Sequence, residues 1–336
     1  MKHRIGIVGA TGLVGRTMIQ VLQESKIEVQ KMVYFASKKS AGKTLQWNDD
    51  EITVCELNSE NIKNHPCDFI LMSAGSEISR EYAPQWVEQG SIVIDNSNFW
   101  RMNKTVPLVV PEVNAHTIKQ HNGIIANPNC STIQAVVALA PLHKKYKIKR
   151  VVYSTYQAVS GAGIAGLNAL ESALSIQTMQ QNNDCDEVFG HPIGNNIIPQ
   201  IDDFLDNGYT KEEMKLIEES KKILDNPGLK ITATAVRVPI ANCHSESIAV
   251  EFCNQFDWND ALLTLQYSDG VVLQNDDKNQ IYPMPILATG KNKVFVGRVR
   301  RDISVPNGLH LWVVADNIRK GAATNAVQIL EKLISQ

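Results

Sequence analysis

The sequence predicts an α/β chain of two domains: a parallel sheet wound with helices on both faces, then an α+β domain whose sheet is mixed or antiparallel. Three observations carry this. A short apolar run, Arg4-Ile5-Gly6-Ile7-Val8, passes through a glycine turn into a helical pattern, Met18, Ile19, Val21 and Leu22. Further buried-type strands at 29–35, 68–75 and 91–95 alternate with helices, the pattern of parallel strands joined by crossover helices. Later, long alternating strands such as Lys149–Val159 and Ile248–Cys253 take over, and 336 residues suffice for two cores. The amphipathic helix after Gly321 is expected to return to the first domain, giving boundaries of 1–128 with 318–336, and 129–317.

Composition sets the function classes. The chain is 43% hydrophobic and 20% charged with a net charge of -2 and a pI near 6.5, so neither nucleic acid nor a membrane surface is expected as a partner. No apolar window is long enough to span a membrane, and Met1-Lys2-His3-Arg4 leads into a strand without a signal peptide's apolar region. A cytoplasmic protein is expected. The six cysteines, Cys55, Cys67, Cys130, Cys185, Cys243 and Cys253, show no C-x-x-C spacing; free thiols are expected and no metal site.

In the first domain the turn reads Gly9-Ala10-Thr11-Gly12-Leu13-Val14-Gly15. Strand, glycine turn and helix open a Rossmann-type dinucleotide-binding unit, where glycines let the backbone approach a pyrophosphate at a helix N-terminus. The spacing is G-x-x-G-x-x-G, which also suits a plain glycine-rich turn. The second strand ends in Ser37-Lys38-Lys39-Ser40, where an NAD enzyme would place an acidic residue for the ribose 2′-hydroxyl. Two lysines and two serines suit a 2′-phosphate and favour NADP; the same segment would also serve as a solvated basic loop. Ligands lie beyond the carboxyl ends of parallel strands, which places Ser73, Ala74, Gly75, Asn96 and Arg101 near a cofactor or its neighbour.

Asn127-Pro128-Asn129-Cys130-Ser131-Thr132 stands between an extended run and an apolar helix. A helix N-terminus presents unpaired N–H groups that lower a thiol's pKa from about 8.5, a good address for a nucleophile. A small buried cysteine at an ordinary helix start fits the hexapeptide as well. Pro141 is expected to kink or end that helix. A strand over 149–159, the turn Ser160-Gly161-Ala162-Gly163 and a helix over 164–181 follow, then an irregular segment over 182–208. Thr210 and Glu213 form a capping box, which leaves Glu212 and Lys215 on one helical face. Arg237 and His244 are seven apart on a strand that Pro239 and Asn242 interrupt, so their side chains could converge on one pocket.

With G-A-T-G-L-V-G at 9–15, N-P-N-C-S-T at 127–132, Q-A-V-S-G-A-G at 157–163, E-E-M-K at 212–215, R-V-P-x-x-x-x-H at 237–244 and D-N-I-R-K-G-A-A at 316–323, the whole chain resembles the aspartate-semialdehyde dehydrogenase family. The resemblance implies a catalytic and dimerisation domain after the Rossmann domain, and reversible NADPH-dependent reduction of L-aspartyl 4-phosphate to aspartate 4-semialdehyde with release of phosphate. That step leads toward lysine, threonine, methionine and isoleucine. It implies Cys130 as the acyl-thioester nucleophile, His244 as its acid/base partner and Gln157 as the residue that orients the substrate. Arg237 matches the contact to the α-carboxylate, Glu212 that to the amino group, and Arg101, Lys215 and Asn129 the phosphate site. Gly9, Thr11, Gly12, Leu13, Val14, Ser37, Lys39, Ser40, Ser73, Ala74, Gly75, Asn96, Ser160, Gly161 and Asn317 fall at cofactor positions. A homodimer or a dimer of dimers built through the second domain is implied too.

Lys39 stands where the family often has Arg, a point charge in place of a bidentate grip. The residue chemistry also admits related acyl-phosphate reductases, among them N-acetyl-glutamyl-phosphate reductase and phosphorylating aldehyde dehydrogenases. Glu212 discriminates, because a carboxylate suits a free ammonium rather than an acylated one. A nucleotide-binding protein whose Cys130 senses oxidants is the reading from another class.

Overall fold

The computed structural model describes residues 2–175 and 188–335, which fall into two compact units, Met1–Asn129 with Ala322–Gln336, and Cys130–Gly321. The end of the helix expected over 164–181, the start of the irregular segment after it and Cys185 lie outside the described residues.

The first unit is built on seven strands: β1 His3–Val8, β2 Val29–Ala36, β3 Thr44–Trp47, β4 Asp50–Glu56, β5 Phe69–Met72, β6 Ile92–Asp95 and β7 Ile124–Ala126. Their order is β3-β4-β2-β1-β5-β6-β7. All neighbours are parallel except β3 and β4, an antiparallel hairpin at the edge. The sequence does not announce that hairpin, because β3 is only four residues long, with Thr44 and Gln46 exposed and Leu45 and Trp47 half-buried. The central strands read as unbroken apolar runs, Phe69-Ile70-Leu71-Met72 among them, as both their faces are covered. Met18 and Leu22 of the helix Leu13–Glu24, and Val327, Ile329 and Leu330 of the helix Thr324–Ile334, pack with Ile5, Ile7, Tyr34, Leu71 and Ile94.

Chain order reverses at β1, which pairs with β2 on one side and β5 on the other, a topological switch point. Gly9 follows β1 at φ +81°, and a Cβ there would lie 2.1 Å from the Ser73 carbonyl oxygen. No other residue can make this turn while β5 ends alongside.

The second unit holds β8 Ile148–Gln157, β9 Lys230–Arg237, β10 His244–Phe252, β11 Val271–Leu273, β12 Val294–Asp302 and β13 Gly308–Ala315, in the order β11-β12-β13-β10-β8-β9. The sheet is mixed: β8–β9 and β11–β12 are parallel and the remaining pairs antiparallel. The helices Cys130–Tyr146, Lys211–Ile223 and Trp258–Gln266 pack against it. The cysteine helix does not end at Pro141 but runs on to Tyr146. Its residues from Ser131 to Leu139 are all buried, so tertiary packing outweighs the single backbone bond that proline removes.

Pairing brings chemistry-bearing residues to one end of this sheet. Gln157 is the last residue of β8 and pairs with Arg237, the last of β9. His244 opens β10 opposite Ala315 of β13. On β10, His244, Glu246 and Ile248 share the buried face.

Glu246 is fully buried, and neither carboxylate oxygen has a hydrogen-bond partner among the described residues. Burial raises its pKa well above the usual carboxylate range, with Gln134 alongside as the opposing influence. Above the ordinary value of about 4.3 the unfolded chain releases this proton while the folded chain keeps it. Stability therefore falls as pH rises, until the folded pKa is passed. Glu246→Gln removes the dependence. In denaturant titrations the variant is expected to gain on the wild type by up to ~1.4 kcal/mol per pH unit above pH ~5; a difference that stays constant with pH would show that the carboxyl ionises normally.

Candidate active site

Cys130 is the first residue of its helix, half-buried, with no acidic residue in the first turn. One turn further along, the buried Gln134 side chain donates from Nε2 to the His244 carbonyl oxygen at 3.3 Å. Residues four apart share a helix face, so the cysteine is presented on the side of the helix that meets the start of β10. Gly321 packs against it from a distant part of the chain: a Cβ at 321 would come within 2.8 Å of the Cys130 Cβ.

Ala158, the residue after β8, orients two side chains with its own backbone. Its N–H donates to His244 Nδ1 at 3.0 Å, and its carbonyl accepts from Arg237 Nη1 at 2.6 Å. Both side chains are buried. Gly161 borders both: a Cβ there would lie 2.9 Å from Arg237 Nη1 and 3.6 Å from His244 Nε2. The glycine itself is exposed, and the close approach of the guanidinium leaves no room for a side chain there. The expected convergence of Arg237 and His244 is thus present, with the chain reversing between β9 and β10.

Burial, reinforced by Arg237, pushes the His244 pKa down to about 3. The ring is neutral at working pH, and because Nδ1 accepts the Ala158 N–H, the proton sits on Nε2. Nε2 has no partner among the described residues. In this state His244 is a donor, not a base, so the expectation that it takes the thiol proton is not met by the resting hydrogen bonds. Burial also lowers the Arg237 guanidinium, while Glu212 and Cys130 oppose that shift.

Gln157 Nε2 donates to Glu212 Oε1 at 3.1 Å, and Thr155 Oγ1 donates to Gln157 Oε1 at 2.9 Å. Glu212 is buried near the start of its helix, where Thr210 and Glu213 form the capping box read from the sequence. Lys215 Nζ lies 3.1 Å from Glu212 Oε2 and 2.8 Å from Asp202 Oδ2. Burial opposes the Lys215 charge, but the two carboxylates overcome it and raise the ammonium's pKa. Ser160 and Asn317 hold each other: Asn317 Nδ2 donates to Ser160 Oγ at 3.0 Å, and Asn317 Oδ1 accepts the Cys243 N–H at 3.0 Å. Cys243 takes φ +72° just before His244, so this pair fastens the strained peptide that aims the histidine.

In the first unit, Gly9, Ser37, Ser73 and Asn96 follow directly on β1, β2, β5 and β6, at the carboxyl edge of the sheet. The helix Leu13–Glu24 starts at Gly12 with no side-chain cap and no acid in its first turn, so the amides around Thr11, Leu13 and Val14 suit a pyrophosphate. Ser37, Lys38, Lys39 and Ser40 form an exposed to half-exposed 3-10 turn after β2 without an acidic residue, a donor set that fits a 2′-phosphate. Ala74 is half-buried, and Gly75 takes φ +88° with open space where a Cβ would stand. Arg101 is buried, its Nε and Nη2 donating to the carbonyls of Asn127 and Asn96 at 3.0 and 2.9 Å. Asn96 Oδ1 accepts from Asn127 Nδ2 at 2.5 Å, and Asn129 is buried at the end of this unit.

The sequence assigns no site role to Gln134, Glu246, Gly321 or Asp202 individually. Period two on the strand His244-Ser245-Glu246 would have flagged Glu246, and helical spacing from Cys130 would have flagged Gln134. For Gly321 the signal is its place in the motif at 316–323, and for Asp202 no local signal exists.

The geometry agrees with what similarity shows. Residues 4–121 match the family model "Semialdehyde dehydrogenase, NAD binding domain" and residues 139–320 the model "Semialdehyde dehydrogenase, dimerisation domain". An aspartate-semialdehyde dehydrogenase of Aquifex aeolicus is 48% identical, covering 100% of this chain and 99% of its own. The structure of aspartate semialdehyde dehydrogenase II from Vibrio cholerae complexed with ASA is similar at a TM-score of 0.93 and 42% identity, over 100% of this chain and 99% of that one. That of the Candida albicans enzyme with NADP is similar at a TM-score of 0.78 and 26% identity, over 99% of both chains. The chain belongs to the aspartate-semialdehyde dehydrogenase family.

Proposed function

We propose that this chain reduces L-aspartyl 4-phosphate to aspartate 4-semialdehyde with release of phosphate, reversibly and with NADPH, in the biosynthesis of lysine, threonine, methionine and isoleucine. The observation that carries the site assignment is the Ala158 peptide, which holds a neutral imidazole and a buried guanidinium side by side, both bordered by Gly161. The thiolate of Cys130 attacks the acyl carbon, the carbon–oxygen bond to phosphate breaks, and an acyl-thioester remains on sulfur. The Cys130 thiol gives up its proton to solvent as it ionises, and the Nε2 proton of His244 stabilises the resulting thiolate before attack and the negative oxygen of each tetrahedral species after it. Arg237 binds the substrate's α-carboxylate. Glu212, steadied by Gln157, receives the free α-ammonium, which an N-acylated substrate would lack. Arg101, Lys215 and Asn129 take the phosphate.

Gly9, Thr11, Gly12, Leu13 and Val14 would hold the pyrophosphate of NADP, and Ser37, Lys39 and Ser40 its 2′-phosphate. Ser73, Ala74, Gly75, Asn96, Ser160, Gly161 and Asn317 complete that set. When bound, the cofactor supplies the hydride that reduces the thioester.

The second unit also supports a homodimer. On the sheet face opposite the helices, Ser247 and Ala249 pair with Ser154 and Val152 on one side and with Trp312 and His310 on the other. These residues are half-exposed, small or apolar in the main, and Tyr156 lies tilted against Trp312 with ring centroids 5.6 Å apart. Such a face suits a second copy of itself. Trp312→Glu is expected to halve the mass in sedimentation equilibrium; an unchanged mass would remove this face from the assembly.

For activity, reduced nicotinamide absorbance is followed with aspartate semialdehyde, phosphate and NADP. Cys130→Ala should abolish turnover while NADP binding is kept, and His244→Ala should lower kcat by roughly 10²–10³. Turnover by the alanine variant at 130 would refute the thioester route.

A further inference from the structure

We propose that Asp202 sets the phosphate affinity of the site, its carboxylate occupying the Lys215 ammonium that the substrate's phosphate takes when it binds. This rests on the reading above that Lys215 serves the phosphate. Lys215 is held between two acids, Asp202 at 2.8 Å and Glu212 at 3.1 Å, so the trio carries a net negative charge. A phosphate dianion approaching it as it stands meets more repulsion than attraction. One carboxylate has to yield. Glu212 is the more firmly fixed: it lies on the same helix as Lys215, its side chain is only 6% exposed, and its other oxygen accepts from Gln157. Asp202 comes from the preceding loop and its side chain is 32% exposed, so water can solvate it once displaced.

The loop does not depend on this ion pair. Asp203 pairs with Lys211 at 2.6 Å, and its carbonyl accepts the Lys211 N–H at 2.9 Å. Asp202 itself takes φ +68°, with Oδ1 accepting the Asp203 N–H at 3.0 Å. Asparagine tolerates that backbone and keeps the Oδ1 acceptor, so Asp202→Asn removes the charge and little else.

In steady-state assays of phosphate-dependent oxidation, Asp202→Asn is expected to lower KM for phosphate about three- to fivefold, the range of a partly exposed ion pair, with KM for aspartate semialdehyde unmoved. An unchanged or raised KM for phosphate would overturn the proposal, the latter because it marks Asp202 as a simple tether for Lys215. Where the Asn variant does not accumulate, Asp202→Gly serves, since glycine takes φ +68° freely. Lys215→Ala separates the two layers. If it leaves KM for phosphate unchanged, the assignment of Lys215 fails; if it raises that KM while Asp202→Asn does not lower it, only the role of Asp202 fails.

Discussion

The peptide at Ala158 is the constraint on which the second unit's chemistry depends. A single residue spends its N–H on His244 and its carbonyl on Arg237. Either bond alone would steady one side chain; together they fix the separation of the two. The residue can do this because β8 ends at Gln157, and the next peptide is free of the ladder that consumes N–H and C=O groups in a strand. Beyond it, Val159 and Ser160 donate to the carbonyls of Ile240 and Ala241. The chain between β9 and β10 is thereby tied to the same turn, and Arg237 and His244 are positioned by one local structure.

Beneath that turn the interior holds groups that would ordinarily be charged, kept neutral by burial. His244 loses its proton and Glu246 retains one, and the two titrate against stability in opposite directions. A histidine whose folded pKa is lowered contributes stability above its ordinary value of about 6.5, and that contribution is lost as pH falls toward 3. The glutamic acid works against the fold on the alkaline side. No pH satisfies both, which is the mark of residues retained for what they do rather than for stability. Gln134 links them, lying beside Glu246 and donating to the His244 carbonyl.

Most of this architecture is legible in the residue pattern. The glycine turn after β1, the buried run of β5 and the capping box at Thr210 are local codes, and each forms where its code stands. Convergence of Arg237 and His244 was legible only as an option, since Pro239 and Asn242 announce a break without its direction. The β3–β4 hairpin escaped because the alternation Thr44-Leu45-Gln46-Trp47 lasts only four residues. Pro141 does not end its helix for a different reason: propensity counts one lost hydrogen bond, whereas the helix is decided by the burial of nine consecutive residues, Ser131 to Leu139. The tautomer of His244 was beyond sequence altogether, as it depends on which backbone donor faces Nδ1.

The surroundings of Cys130 show the same limit most sharply. A cysteine at a helix start is here held without a bulky neighbour: the restraint is Gly321, whose missing Cβ leaves no room to spare against the Cys130 Cβ. Gly321 is itself fixed by a wide turn, its N–H donating to the Asp316 carbonyl at 3.0 Å. The Asp316 carboxylate in turn accepts the amides of Ile318, Arg319 and Gly290 at 2.8 to 3.0 Å. Three amides converging on one side chain make that turn rigid. The D-N-I-R-K-G stretch therefore acts on the cysteine by geometry alone: its aspartate builds the turn, its glycine ends against the thiol-bearing residue, and its asparagine secures the peptide that carries the histidine.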